Sequence, residues 1–402
     1  MSESDPPDGD PDPFQGIPFL GDLAKILRQQ GAVSWDAAGQ LAFQVATGGE
    51  SEPNVDPLER IRLEELARVA ELQVAQATGL TLSTTGRTVT VVPVTRTQWV
   101  QASLPAFRPR FERLASSLST NPAEAAPESA DPAAMLGNLM GMMTPMLVGM
   151  AAGSMVGHLA STSFGVYDLP IPRPPTDELV VVGRNVDQFA TDWSLPDDDL
   201  RLWVCLHEMT HHAVLGLPHV RARLDDLLNR YAAGFEADPN ALEERFGQLD
   251  ISDAEGMAGL QSMFNDPEAI LGAVQSPAQR DLLPQLDALV AVIIGYVDHV
   301  MDSIGEGLIS SYGMLAEALR RRRVTADESS RFVERLLGLE LTQDQCDRGE
   351  AFVAGVIERA GKRGLERLWR SERELPTPAE VDAPCLWLAR IDLPDPTDRS
   401  GT

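Results

Sequence analysis

The residue types best suited to chemistry fall in one short run, His207-Glu208-Met209-Thr210-His211. Histidines four apart share one face of a helix, so both imidazoles can reach one tetrahedral ion, and Zn²⁺ is the metal such a pair suits. Glu208 follows the first histidine directly. From there it can lean over the same ion, hold a water on it and take that water's proton. The metal would bring the water's pKa down to ~7, making hydroxide available near neutrality. Four of the six histidines lie between 207 and 219. His212 is turned about 100° from His211 around the helix, which puts it behind the ligands or at the surface. His219 falls beyond the helix stop and reads as a loop residue, and His158 as a hydrogen-bonded core histidine.

A catalytic zinc site takes a third protein ligand and keeps one position open. The extended H-E-x-x-H-x-x-G-x-x-H pattern is absent, because Val214 and Leu217 stand where its glycine and histidine would. The third ligand therefore comes from another element. The best source is LDALVAVIIGYVDHVMDSIG, which is apolar nearly all round from Ala288 to Val297 and then carries Asp298, His299 and Asp302. Ionisable groups on a buried helix call for a charged partner or a metal. Asp298 is the first choice as ligand and His299 the second. Asp302 or His299 would then support the ligands from behind, and Glu306 is a weaker option. His299 or Tyr296 could serve the oxyanion. Cys205, two residues before His207, points away from the metal.

The elements that must hold these groups are legible around them. Asp197, Asp198 and Asp199 stand where a helix start favours negative charge, and Gly216 and Pro218 where a helix stops. LWVCL, just ahead of the motif, marks the helix as buried. Upstream, the stretch around Trp35 has helical spacing. Asp56, Pro57 and Glu59 announce a helix running to Thr78, and residues 87–95 alternate as a strand. Glu178 to Val182 is a second short strand. Helices are expected over 277–304, 307–323, 327–339 and 343–360, and an extended segment over 375–391. The domain plan is an acidic leader (1–15), an N-terminal helix and strand region (16–120), a linker (121–132) and a metal-site domain (133–402).

Between Pro132 and Tyr167 no side chain is formally charged, and seven of the thirteen methionines fall between Met135 and Met155. Gly149, Gly153 and Gly157 recur at a spacing that lets another helix approach closely. The run is long enough for a membrane span, but Pro145, Asn138 and His158 interrupt it and no basic cluster flanks it. A buried helical hairpin is the preferred reading, with 133–157 left as the one segment that could meet a membrane.

The whole chain has 402 residues, 33 basic against 60 acidic, and a formal charge of −27. That field repels phosphate and speaks against nucleic acid as a partner. Apolar residues at 43% suffice for a core. Cys205, Cys346 and Cys385 are too few and too scattered for a disulfide framework. The start, MSESDPPDGDPDP, is the reverse of a signal peptide, so the cytoplasm is the expected compartment.

Taken together, FLGDLAKIL, the Gly/Met-rich run ending VGHLA, YDLPIPRPPTDELVVV, the motif helix, GYVDHVMD and LPTPAEVDAP resemble the zincin-like, type 2 zinc-dependent metallopeptidases of bacteria. The resemblance implies a mainly α zincin-like fold with a small β component, in which the motif helix packs against buried helices and a short sheet. It also implies His207 and His211 as zinc ligands and Glu208 as general base. Many members carry a glutamate where this chain has Ile294, one turn before Asp298, so Asp298 would have to replace it. The expected activity is zinc-dependent hydrolysis of a peptide or protein substrate. The alternative is a binding or scaffold protein that keeps the fold without turnover. A membrane-attached protease is a third possibility.

Overall fold

Asp56 opens the first long helix as its local signals predict, its carboxylate accepting from the Leu58 amide at 2.9 Å. This helix, α2 (Pro57–Thr78), follows a shorter α1 (Trp35–Thr47). The computed structural model describes residues 31–119, 132–237, 273–325, 327–339 and 341–394. The expected leader, the FLGDLAKIL stretch of the resemblance and all but the last residue of the linker lie outside these.

Strand β1 (Thr90–Val94) pairs in parallel with β2 (Glu178–Val182), in register from Thr90 opposite Glu178 to Val94 opposite Val182. The crossover between them carries α3 (Arg96–Ser119) and α4 (Pro132–Thr162). The expected helical hairpin is instead this single helix α4, which continues through Pro145. The reason is α1, whose small residues occupy the place of a returning arm. Ser34, Ala38 and Ala42 lie against Gly149, Gly153 and Gly157, where a Cβ at Gly153 would stand 2.4 Å from the Ala38 carbonyl oxygen. The glycine spacing thus does bring two backbones together, with α1 as the second.

After β2 come α5 (Gly183–Trp193), α6 (Asp197–Leu215) and α7 (Pro218–Ala233). A short antiparallel pair follows, β3 (Phe235–Ala237) with β4 (Ala273–Gln275). Ser276 and Gln279 form a reciprocal cap that starts α8 (Pro277–Leu308), which runs unbroken past Pro284. Then follow α9 (Tyr312–Val324), α10 (Glu328–Leu337) and α11 (Gln343–Glu366). The expected extended C-terminal segment is in fact two short helices, α12 (Pro378–Asp382) and α13 (Pro384–Asp392). Thr377 and Glu380 form a capping box around Pro378, so the proline here begins a turn of helix rather than preventing one.

Every side chain of α6 from Leu200 to Leu215 is buried, with α2, α7, α8 and β2 packed around it. Its polar outer end is tied down. Arg201 reaches Glu59 of α2 at 2.8 Å and also pairs with Asp187 of α5. Asp199 accepts from Ser310 and Ser311 between α8 and α9. Among the described residues, α8 is the one helix long and apolar enough to cross a membrane, and most of it is buried in the core. It meets α11 backbone to backbone: a Cβ at Gly349 would stand 2.0 Å from the Ala291 carbonyl oxygen. Helices α8 and α2 and strand β2 thus all pack against the motif helix.

Candidate metal and catalytic site

His207 and His211 lie one turn apart on α6 with ring centroids 4.4 Å apart. Trp203, one turn earlier, stacks on His207 at 4.7 Å, and Tyr167 lies parallel to His211 at 6.1 Å. Aromatic faces thus bracket the imidazole pair and limit its rotation. His211 Nδ1 is 3.2 Å from the His207 carbonyl oxygen. A carbonyl can only accept, so Nδ1 carries the proton and Nε2 keeps the lone pair that a metal needs. Burial, first of all, pushes His207 down to about 4 and His211 well below the ordinary histidine range. Both rings are therefore neutral at pH 7, as ligands must be.

Glu208 is wholly buried. One carboxylate oxygen accepts from the Val166 amide at 2.8 Å and both accept from Tyr167, at 3.1 and 3.2 Å. Gly165 makes this possible, because any Cβ there would fall 2.2 Å from the Glu208 carboxyl carbon. Oε1 also stands 3.6 Å from His207 Nδ1. Burial, reinforced by the nearby Asp168, raises the Glu208 carboxyl to about 8 against the pull of those two amides. The supporting loop is itself fixed: Trp99 donates to the Gly165 carbonyl at 2.7 Å and Arg173 to the Val166 carbonyl at 2.5 Å.

Asp298, expected as third ligand, lies close enough to both imidazoles for their charges to act on it. Its two oxygens, however, are taken by Arg323 of α9 at 2.9 and 3.0 Å. Burial works to raise its carboxyl, and Arg323 overrides this to hold it below the usual range. Ile294 is buried. His299 is half-buried on the same helix, next to the charge of Asp302. Asp302 is exposed and accepts from the Tyr312 hydroxyl at 2.6 Å. Tyr296 packs edge-on against Trp369. His212 is buried, with Nδ1 3.0 Å from the Tyr167 hydroxyl, so it braces the ring lying against His211. His158 bonds Asp327 and Ser330. Among the described residues, no three potential ligands are gathered closely enough to hold an ion at once.

Three participants, Asp168, Arg322 and Arg323, belong to no motif. Asp168 faces His207 and accepts from Arg322 at 2.6 Å and from the amides of Phe164 and Gly165 at 3.1 and 3.4 Å. The run Arg320 to Arg323 reads as a solvated or salt-bridged helix end. Arg320 and Arg321 indeed pair with exposed Glu317, whereas Arg322 and Arg323 turn inward to Asp168 and Asp298 beside the imidazoles. Only the direction in which the last turn of α9 faces separates the two pairs.

Two neutral imidazoles one turn apart are the donors a zinc ion takes, and Asp298 is a carboxylate whose charge reaches both. The chain matches the model of the zincin-like metallopeptidase family over residues 33–388, nearly its whole length, and belongs to that family. The family is one of zinc-dependent hydrolases, and the observed mainly helical architecture with its small parallel sheet agrees with it. The fold is also similar to that of a candidate hydrolase with a novel fold from Chloroflexus aurantiacus. The similarity covers 90% of this chain and all of that one, with a TM-score of 0.62 and 23% identity. No curated protein matches the chain.

Proposed function

We propose that the protein is a zinc-dependent peptidase with His207 and His211 as metal ligands, Asp298 as the third, and Glu208 as general base. The observation that carries this is the preset imidazole pair on a fully buried helix, with the His211 proton turned away to a carbonyl. When bound, zinc would polarise the scissile carbonyl and acidify water. Without the metal the buried Glu208 carboxyl is raised to about 8; a bound cation beside it would favour the ionised form, and Glu208 would then accept the proton of the attacking water at Oε1, the oxygen nearer His207, and return it to the leaving amine. The amides of Val166 and Tyr167 keep that carboxylate at a fixed position, and Gly165 gives the loop the room to do so. Trp203 and Tyr167 exclude water from the flanks of the imidazoles. Peptides or proteins are the substrates this reading requires.

One observation favours a second reading, a zincin-fold binding protein without turnover: both oxygens of Asp298 are committed to Arg323. Zinc content by elemental analysis, together with cleavage of a peptide library, separates the two. About one zinc per chain and cleavage abolished by Glu208→Gln support the peptidase. Zinc retained with no cleavage of any library member supports the binding protein, and absence of zinc after supplementation overturns both metal assignments.

A further inference from the structure

The charge of Asp168 acts on His207 and that of Asp298 on both imidazoles, and both aspartates are held by arginines of one helical turn, yet they are held differently. Asp168 accepts from three donors on two segments: Arg322, and the backbone amides of Phe164 and Gly165. Arg322 in turn bonds the Thr162 carbonyl and lies 3.8 Å over the Phe164 ring. Moving Asp168 would leave several groups without partners. Asp298 instead accepts from one residue alone among those described, the fork of Arg323. That pair is about one-third exposed on each side, so water can replace what is given up. Arg323 also has a second contact to fall back on, Cys346 Sγ at 3.7 Å from Nη1.

From this asymmetry we infer that Arg323 is a positioning residue that competes with the metal for Asp298, and so sets how tightly zinc is held. The inference rests on the zinc reading of His207 and His211. Loading the site exchanges one partner of the Asp298 carboxylate for another: the two guanidinium hydrogen bonds break and a carboxylate–metal bond forms. No proton moves, because both the carboxylate and the guanidinium stay charged. Arg323 is left beside Cys346 and solvent. Zinc affinity is thereby lowered by whatever the ion pair is worth, and the site can release its metal more readily than one with an uncommitted carboxylate.

The test is zinc affinity by competition with a chromophoric chelator, for full-length wild type, Arg323→Gln, Asp298→Asn and the double variant. Apo-protein circular dichroism checks that each is folded. Partly exposed charge pairs are worth on the order of 1 kcal/mol, so Arg323→Gln should bind zinc roughly fivefold more tightly. Asp298→Asn should bind more weakly, and in its background the Arg323→Gln gain should vanish. Equal or weaker binding by Arg323→Gln, with wild type loading normally, overturns the inference and leaves the zinc reading standing; so does a gain that persists in the double variant. If no variant binds zinc at all, the zinc reading itself falls, and the inference with it.

Discussion

At the scale of single residues the candidate site is a set of polar groups kept in unusual ionisation states by burial. Glu208 keeps its proton up to about pH 8 in the folded chain, against an ordinary 4.5, so the folded state holds an extra proton between these values. Stability from this group falls as pH rises through that window. His207 and His212 act oppositely, since both are neutral in the folded state down to about 4 and add stability as pH rises from there to 6.5. Of these three, only Glu208 titrates above 6.5. Metal-free wild type should therefore lose about 2 kcal/mol between pH 6.5 and 8 in chemical denaturation, and Glu208→Gln should remove most of that slope. Gly165→Ala drives a methyl into the Glu208 carboxylate. It should cost about 2 kcal/mol or more in the same measurement, because backbone and buried carboxylate must shift together.

At the scale of elements, two close helix crossings carry the geometry. Where α4 meets α1, Gly153 admits the Ala38 carbonyl, and where α11 meets α8, Gly349 admits that of Ala291. The second crossing lies within two turns of Asp298 on α8. Gly349→Ala should separate α11 from α8, lowering the denaturation midpoint by the equivalent of about 1–3 kcal/mol. It should also weaken zinc binding, because Asp298 loses its fixed approach to the imidazoles; unchanged zinc affinity in a destabilised variant would show that α8 positions Asp298 without α11. Just before β2, the Asp177 carboxylate accepts from the amides of Thr84, Thr85 and Arg87 and fastens the turn before β1. This bonding holds its carboxyl far below the usual range, although burial works the other way.

At the scale of the whole molecule, the proposed site would couple zinc binding to folding, because an ion held by α6 and α8 would join elements far apart in the chain. Saturating zinc at 100 times its dissociation constant should add about 2.7 kcal/mol to stability, and a strong chelator should remove it. In His207→Ala the melting temperature should be indifferent to both additions. A wild-type protein equally indifferent would show that the two imidazoles do not bind the ion in the folded state.

Much of this was legible in the amino-acid order, because it depends on local spacing. The i, i+4 histidines, the acidic first turn of α6 and the Gly216–Pro218 stop place His207, Glu208 and His211 on one helix without any long-range information. The Asp56 cap and the strand 178–182 were equally local. The capping box at Thr377 and Glu380 was legible in principle, but was outweighed by the surrounding prolines. What only the tertiary structure decided is which distant groups face the motif. Asp168 approaches from the loop after α4, while Arg322 and Arg323 point inward and their neighbours outward. The glycine stripe packs on α1 and not on a second arm of its own run. Such choices depend on how helices pack and rotate against one another. That is set by side-chain shape summed over the whole core, and no window of sequence contains it.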